Sequence, residues 1–523
     1  MSATTSAFDF KPRDNLDEAE VQHGLKLLLV DGIASQVMTQ LTGGAFLVAY
    51  ALLLGASNTV IGLIASIAPL TQILQVPAIY LIEITRRRKL LAVLAALFSR
   101  SFWLLIAALP WLGAASDTPM SIPVLMLCLT LYSAFGTIQS CAFNSWKRDI
   151  VPEPIMGRYL AKRLTIATAL SAILTLTSGV LIDRGTQLFA SALTLYSALF
   201  AVGALFGFVG AGALAKVPEP RMAPRSGDSL VRLLLEPLRD GNFRKLLMFL
   251  GSWNFAVNLA MPFFTVYMIK TLELPMAWVI GFSVASQVAN VAFYRIWGRL
   301  ADRFSNKSVM SVSGSLFVLT IALWTFTTLP GKYVLTVPLL VLIHVLSGVS
   351  TAGVNLSAAG LALKAAPKGK ATAFLAVNAI ISGTAATIAP ILAGIASDHF
   401  AEEHLSIDLH WLTGAVERAH ITAIDLQGLD FIFVIAFLFG LYALHRLLAV
   451  AELGEVEEDV VITELYGEVA QLVRRVSNVP GGAVKGVTGV MMTTLRSGAR
   501  QRPGPLEPEI TQELPDAGNT VKR

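Results

Sequence analysis

Twelve stretches of the chain are apolar over about the 20 residues that a helix needs to cross the hydrocarbon core of a bilayer. Six lie near 25–54, 58–83, 89–112, 119–144, 156–181 and 190–215. A polar stretch from Lys216 to Lys245 follows, and six more lie near 246–269, 275–300, 308–329, 334–361, 370–397 and 427–450. Helix is the expected element, because lipid offers no partner to backbone amides and a helix satisfies them internally. The runs are far too long for the strands of a membrane barrel. The pattern predicts an all-α integral membrane protein of about twelve transmembrane helices in two pseudo-symmetric six-helix halves. Its parts are an N-terminal segment (1–24), a first half (25–215), a linker (216–245), a second half (246–450) and a C-terminal tail (451–523).

Composition removes the soluble alternatives. The 523 residues are 54% hydrophobic and only 14% charged, against roughly 25% charged in a soluble domain. Mean hydropathy is +0.65. The two cysteines, Cys128 and Cys141, sit in one apolar run and form no disulfide framework. The polar start from Asp9 to Glu20 lacks the basic, apolar, small-residue order of a cleaved leader, so the first run is expected to be a retained span.

Charge orients the bundle. Alternate loops, Arg86–Lys89, Lys147 to Arg163, Lys216 to Lys245, Arg295 to Lys307 and Lys364 to Lys370, hold 23 Lys and Arg. The opposite loops hold four: Arg184, Lys270, Lys332 and Arg418. The positive-inside rule predicts a cytoplasmic basic side, with both termini there. A bacterial inner membrane is the expected location. The long loop 398–426, with Leu405, Leu409, Trp411 and Leu412, is expected to lie on the outer surface as a short helix. In the tail, Val461, Leu465, Val469, Leu472 and Val476 make one apolar helix face, with acids at its start and Arg474–Arg475 at its end. A basic segment and a Pro-rich end follow, read as a solvated or membrane-surface appendage.

The halves resemble each other. Val60-Ile61-Gly62 recurs 219 residues later as Val279-Ile280-Gly281, and the same offset sets Glu83 on Asp302 and Arg88 on Lys307. An offset of 218 sets Gln36 on Asn254 and Gln40 on Asn258. Asn144 has a counterpart in Asn355, and Pro152 with Gly157 echo Pro367 with Gly369. Such internal repeats are a transporter signature.

The loop Gly298-Arg299-Leu300-Ala301-Asp302-Arg303-Phe304-Ser305-Asn306-Lys307 resembles the G-x-L-x-D-R-x-G-R/K loop of the major facilitator superfamily, with Ser305 in place of the second glycine. The first half keeps Leu81, Glu83 and the Arg86–Lys89 run but has Ile79 in place of the glycine. Asn144 to Asp149, with Val151-Pro152-Glu153 and Gly157-Arg158, is also similar to the loop after that family's fourth span. The resemblance covers about 25–450. It implies a secondary transporter working by rocker-switch alternating access, with a cytoplasmic gate at Gly298, Asp302, Arg303, Glu83, Arg87 and Arg88. Gly298 would let two helices approach closely, and Asp302 would accept hydrogen bonds at a neighbouring helix N-terminus. It also implies a cavity lined by the first, fourth, seventh and tenth spans.

Polar side chains are costly in lipid and normally face a wet interior. Gln36, Gln40, Gln139, Asn254, Asn258, His344 and Asn355 lie on those four spans, and Gln72, Gln75, Gln287 and Asn290 lie on the second and eighth. They are candidates for a hydrogen-bonding substrate path, or for helix-to-helix contacts. Arg100 is a candidate for an anionic substrate or a partner for Asp31. Asp31 and His344 are the candidates for proton coupling, which the residues leave open. The chain has no G-x-x-x-x-G-K-[ST], no H-E-x-x-H, no G-x-S-x-G and no cluster of metal ligands, so no enzyme, cofactor or ATP-driven pump is expected. The fifth span lacks the family's drug-antiporter Gly-Pro motif, and R-x-G-R-R and P-E-S-P-R of the sugar porters are missing. The expected partners are a small organic solute and the bilayer, with no nucleic acid, and a monomer is expected. The rival reading is a transporter-like scaffold or assembly factor that acts through its tail.

Overall fold

The computed structural model describes residues 10, 12–13, 16–113, 120–188, 191–222, 236–328, 335–366, 371–413, 416–452 and 456–477. The middle of the linker, Pro367 and Gly369, and the tail beyond 477 lie outside the described residues. The chain from its start to Val461 forms one compact unit, and residues from Ile462 onward belong to a second.

Each predicted apolar run is helical. The first is α1 (Glu18–Thr42) and α2 (Gly44–Leu53). The expected single helix is broken because Gly43 is extended and Gly44 has φ +54°, a conformation that costs glycine little. The second is α3 (Asn58–Thr71), a short 3-10 turn over Gln72–Leu74, and α4 (Gln75–Thr85). The tightened turn falls where a continuous α-helix would ask Pro77 to donate to the Ile73 carbonyl, and proline has no N–H. The rest of the first half is α5 (Arg88–Gly113), α6 (Ser121–Ile150), α7 (Glu153–Leu188) and α8 (Ala192–Ala215). The second half is α9 (Gly241–Lys270), α10 (Met276–Arg303), α11 (Asn306–Trp324), α12 (Thr336–Ala365), α13 (Ala371–His399) and α14 (Leu429–Leu448). Among the described residues, 11 helical spans are long and apolar enough to cross a membrane. Helix α7 supplies the twelfth segment of the pattern.

The repeat is visible in the packing. In the first half Phe200 of α8 stands 5.0 Å from Tyr50 of α2 and 5.3 Å from Trp103 of α5. In the second half Phe433 of α14 stands 5.3 Å from Tyr267 of α9 and 6.0 Å from Trp324 of α11. The two trios join the first, third and sixth segments of each half. All six rings are buried. Their edge and tilted contacts add to the area they bury.

The loop before α14 corrects the sequence reading. After a 3-10 turn over Phe400–Glu402 the chain forms an antiparallel hairpin, β1 (His404–Thr413) and β2 (Val416–Gln427). It is not a helix, because apolar and polar residues alternate with period two. Leu405, Ile407, Leu409 and Trp411 fall on one face, opposite Leu426, Ile424, Ile421 and Ala419. We call the end of the bundle that carries this loop the hairpin side, and the opposite end the basic side.

In the tail, α15 (Glu458–Ser477) begins on Glu458 and Asp459, and Val461 on its predicted apolar face is fully buried.

Candidate substrate cavity and gates

Helix α6 carries Ser133, Gly136, Thr137 and Ser140, spaced three and four apart, so one of its faces is small and hydroxylated. That face borders a cavity of about 310 Å³. Gln72, Tyr132, Gln139, Ser35 and Thr39 of α1, and Ser99 and Arg100 of α5 complete its polar lining. The 3-10 turn before α4 places Gln72 there, hydrogen-bonded to Gln75. The hydroxyls are also tied locally: Thr71 Oγ1 lies 2.7 Å from Ser133 Oγ, Ser99 Oγ donates to the Tyr132 carbonyl at 2.8 Å, and Thr137 Oγ1 to the Ser133 carbonyl at 3.0 Å.

Arg100 and Asp31 are both buried within the span region. Arg100 Nη2 is 3.1 Å from Ser35 Oγ and 3.5 Å from Asp31 Oδ1, and Ser35 Oγ is 3.3 Å from the same oxygen. Helix α8 makes room for the pair with glycine. A Cβ at Gly207 would stand 3.1 Å from Arg100 Cδ, and one at Gly210 would stand 3.1 Å from Asp31 Oδ1. The sequence reading passed over this small-residue face.

The other candidates are spread more widely. Gln36, Gln40 and Gln287 are half-buried, and Asn355 is exposed. Asn254 and Asn258 donate to the carbonyls of Leu250 and Asn254, each at 2.8 Å, so part of their polarity is spent on their own helix. Asn290 bridges to the Gly348 carbonyl at 3.3 Å, joining α10 to α12. His344 is buried, 2.8 Å from the Leu340 carbonyl, stacked on Phe282 and edge-on to Trp324. The structure therefore groups Gln72, Arg100 and Gln139 at one cavity and sets His344 in an aromatic cluster apart from it.

Two carboxylates that the sequence reading did not single out join the halves at the hairpin side. Asp398, at the end of α13, accepts from the N–H groups of Asn58 and Thr59 at 3.0 and 2.8 Å. Asp183, in α7, accepts from those of Met276 and Ala277 at 2.9 and 2.7 Å. Each aspartate thus sits on the N-terminus of a helix in the other half, α3 or α10, where unbonded N–H groups and the helix dipole favour an anion. Below the Asp398 contact, α3 and α13 touch backbone to backbone. A Cβ on Gly62 would stand 2.0 Å from the Pro390 carbonyl oxygen, and one on Gly394 would stand 2.6 Å from that of Asn58.

On the basic side a different pairing holds each half together internally. Glu219, four residues beyond α8, accepts from the Arg88 N–H at 2.6 Å at the start of α5. Buried Arg88 donates to Asp149 Oδ2 at 2.5 Å and to the Pro220 carbonyl at 2.8 Å, with its Nε 3.8 Å from Glu219. Burial pushes the Glu219 carboxyl above its ordinary pKa, against the pull of the Lys89 and Arg88 N–H groups and the guanidinium. Glu452, four residues beyond α14, repeats the arrangement on α11: it accepts from the Lys307 N–H at 2.6 Å and from Asn306 Nδ2 at 2.9 Å. Lys364 closes the group at 3.3 Å. Of the loop residues in the resembled motif, Arg88 is buried in this network, Glu83 is half-buried, and Arg87, Asp302 and Arg303 are exposed, with Arg303 over the Phe304 ring. Gly298 permits no tight crossing, since a Cβ there would meet Leu356 Cδ1 at an ordinary 3.9 Å. The helix N-terminus next to Asp302 is capped by Glu452.

Burial alone would raise the Glu452 pKa, but Asn306, the Lys307 and Asn306 N–H groups and Lys364 outweigh it and hold the carboxyl below its usual range. Its stabilisation is therefore present above the ordinary glutamate pKa and is lost as pH falls through the lowered folded value. Glu452→Gln is expected to cost about 1–2 kcal/mol at neutral pH. The variant should also show a flatter fall of melting temperature on acidification than the parent. Equal acid limbs in the two proteins would count against the cap.

A sequence model of the Major Facilitator Superfamily matches residues 32–390. No curated protein matches the chain. Solved structures share the fold. A mutant of the nucleoside transporter NupG superposes with a TM-score of 0.58 at 16% identity, covering 82% of this chain and 100% of its own. A D-xylose-proton symporter gives 0.58 at 14%, covering 84% and 100%. A bacterial homologue of the iron transporter ferroportin, in an inward-facing state, gives 0.54 at 12%, covering 83% and 99%. At these identities the likeness speaks for the fold.

Proposed function

Because the chain belongs to the Major Facilitator Superfamily, we propose that this multi-pass membrane transporter is a secondary carrier that moves a small polar organic solute by rocking its two halves. The observation that carries the reading is the reciprocal pair of aspartate contacts at the hairpin side. Each half lends a carboxylate to a helix of the other, and such contacts can break and remake as the halves rock without disturbing either helical bundle. The charge asymmetry of the loops supports a cytoplasmic basic side, with the hairpin facing outward. On that orientation the aspartates form the outer gate, and the exposed Asp302 and Arg303 with Glu83 and Arg87 are the cytoplasmic one. Arg88 belongs to a network internal to the first half, so it steadies that gate instead of bridging it.

The solute is handled at the cavity around Gln72, Arg100 and Gln139. Asp31, a carboxylate inside a span and next to Arg100, is the group for proton coupling. His344, held by Leu340 and two aromatic rings, has no such neighbour. The wide range of solutes named for the similar folds does not select among them. The residue types do: hydroxyls and amides dominate, and they suit a hydrogen-bonding organic solute better than a bare metal cation.

Reconstitution tests the proposal. Gln72→Ala together with Gln139→Ala removes two hydrogen-bonding side chains, each worth about 1 kcal/mol. Exchange of the transported solute in proteoliposomes should fall roughly tenfold or more, with little change in melting temperature. Unchanged exchange would remove these amides from the path. The scaffold reading predicts no exchange of any solute and a function that depends on the tail.

A further inference from the structure

The polar cavity is unequal in charge. Arg100 lines it and is almost fully buried, and its Nη1 has no hydrogen-bond partner. Its Nη2 is shared between Ser35 at 3.1 Å and an Asp31 oxygen at 3.5 Å, which is a loose contact for an ion pair. A guanidinium carries five N–H donors in a planar fork suited to a carboxylate. Here the Nη1 end of that fork is unused, in a region where an unmade hydrogen bond is costly.

Asp31 is also overdrawn as a counter-charge. Arg100 of α5 and Arg163 of α7 both act on it, and it in turn acts on Lys147 of α6. Ser35 on its own helix is hydrogen-bonded to it, α8 offers only glycine and small residues there, and Tyr159 of α7 also feels its charge. Three cations on three helices thus share one carboxylate. Beside Arg100, the alcohol and amide groups of Ser133, Ser140, Gln72 and Gln139 can donate to the oxygens of a hydroxylated body, and Thr137, whose own proton goes to the Ser133 carbonyl, can accept from its hydroxyls.

We propose that the cavity binds a hydroxylated organic monoanion whose carboxylate takes the free face of Arg100. The hydroxyls and amides of α6 and Gln72 hold the rest of the molecule. One guanidinium with an unpartnered Nη1 suits one carboxylate. A cavity of about 310 Å³ falls at the small end of ligand pockets, which run to about 1,000 Å³. The proposal rests on the transport reading and narrows its substrate class.

The test uses the full chain in detergent and two matched probe pairs, gluconate against sorbitol and glycerate against glycerol. Within each pair the molecules differ chiefly by a carboxylate. At least one acid should raise the melting temperature saturably, and its neutral counterpart should not. Arg100→Gln leaves buried Asp31 without its closest cation, which is reason enough for misfolding, so it is combined with Asp31→Asn, which keeps the pair neutral. The double variant should lose the acid response at least tenfold in concentration, and Arg100→Lys should keep part of it. Equal shifts from acid and polyol, a full acid response in the double variant, or no response to either acid would each overturn the proposal. Counterflow of labelled gluconate and sorbitol in proteoliposomes separates the two levels. Gluconate that binds at Arg100 yet never exchanges would leave the anion site standing and remove the carrier reading. Exchange of sorbitol without gluconate would do the reverse.

Discussion

Replacing Asp183 and Asp398 together by alanine should open the hairpin side. The four N–H groups they hold would lose their carboxylate partners at two helix N-termini. A hydrogen bond contributes about 1 kcal/mol net. Asp398 is exposed, so screening reduces its share, and about 2.8 kcal/mol for the pair is a reasonable sum. That is a hundredfold shift in a two-state equilibrium. Spin labels on Leu53→Cys and Glu402→Cys, with Cys128 and Cys141 changed to serine, would report the separation across this side. The parent should give one short distance and the double alanine variant a dominant longer one. Single variants should fall between, and asparagine should do less than alanine because its carbonyl still accepts. A distance distribution that the double variant leaves unmoved would show that the aspartates do not hold the halves.

Arg88→Ala should be the most destabilising single change on the basic side. The guanidinium is almost completely buried, with Asp149, Ser145 and the Pro220 carbonyl as acceptors and Glu219 alongside. Removing one member of a buried ion pair costs about 3–5 kcal/mol, because the partner keeps its desolvation without its counter-charge. Half-exposed Asp149 can turn to water, but Glu219 is as buried as the arginine. Glu219→Gln should therefore rescue part of the loss, giving a positive coupling in a double-mutant cycle. Arg88→Lys should recover less, since an ammonium cannot reach both Asp149 and the Pro220 carbonyl as the fork does. Thermal unfolding in detergent reads all five proteins, the four of the cycle and Arg88→Lys. A loss under about 1 kcal/mol for the alanine variant would mean the network is ornamental to stability.

The helical spans were legible because hydrophobicity over a window is a local property, and the repeat was legible because its halves keep register. The hairpin was misread for a different reason. Leu405, Ile407, Leu409 and Trp411 do alternate, yet the reading weighed how apolar the loop is and not the period of its pattern. The repeat could also have exposed Glu219 and Glu452. Val217-Pro218-Glu219 and Val450-Ala451-Glu452 stand at equivalent places after the last helix of each half, with both valines buried. The cavity was half legible. Gln72, Arg100 and Gln139 stood out as polar groups in apolar runs, while Ser133, Thr137 and Ser140 did not, since hydroxyls are common in helices and bond back to their own turns. His344 stood out by type alone, and its packing against Phe282 and Trp324 could not be read from the sequence.

The hairpin-side contacts have a genetic consequence. The donors in these four bonds are main-chain N–H groups, which every residue but proline supplies. Substitution at Asn58, Met276 or Ala277 therefore leaves the main-chain donors intact, and a screen of those three positions would miss the contacts except where it sampled proline, whereas Thr59 also bonds Asp398 through its side chain. On the carboxylate side, variation in these main-chain contacts is concentrated in two codons, those for Asp183 and Asp398. Asp398 also takes side-chain hydrogen bonds from Ser57 and Thr59 across the gap, so those codons bear on it too. A lineage could loosen or tighten the hairpin side one aspartate at a time, and a search for compensating pairs would look first at Asp398 with Ser57 and Thr59.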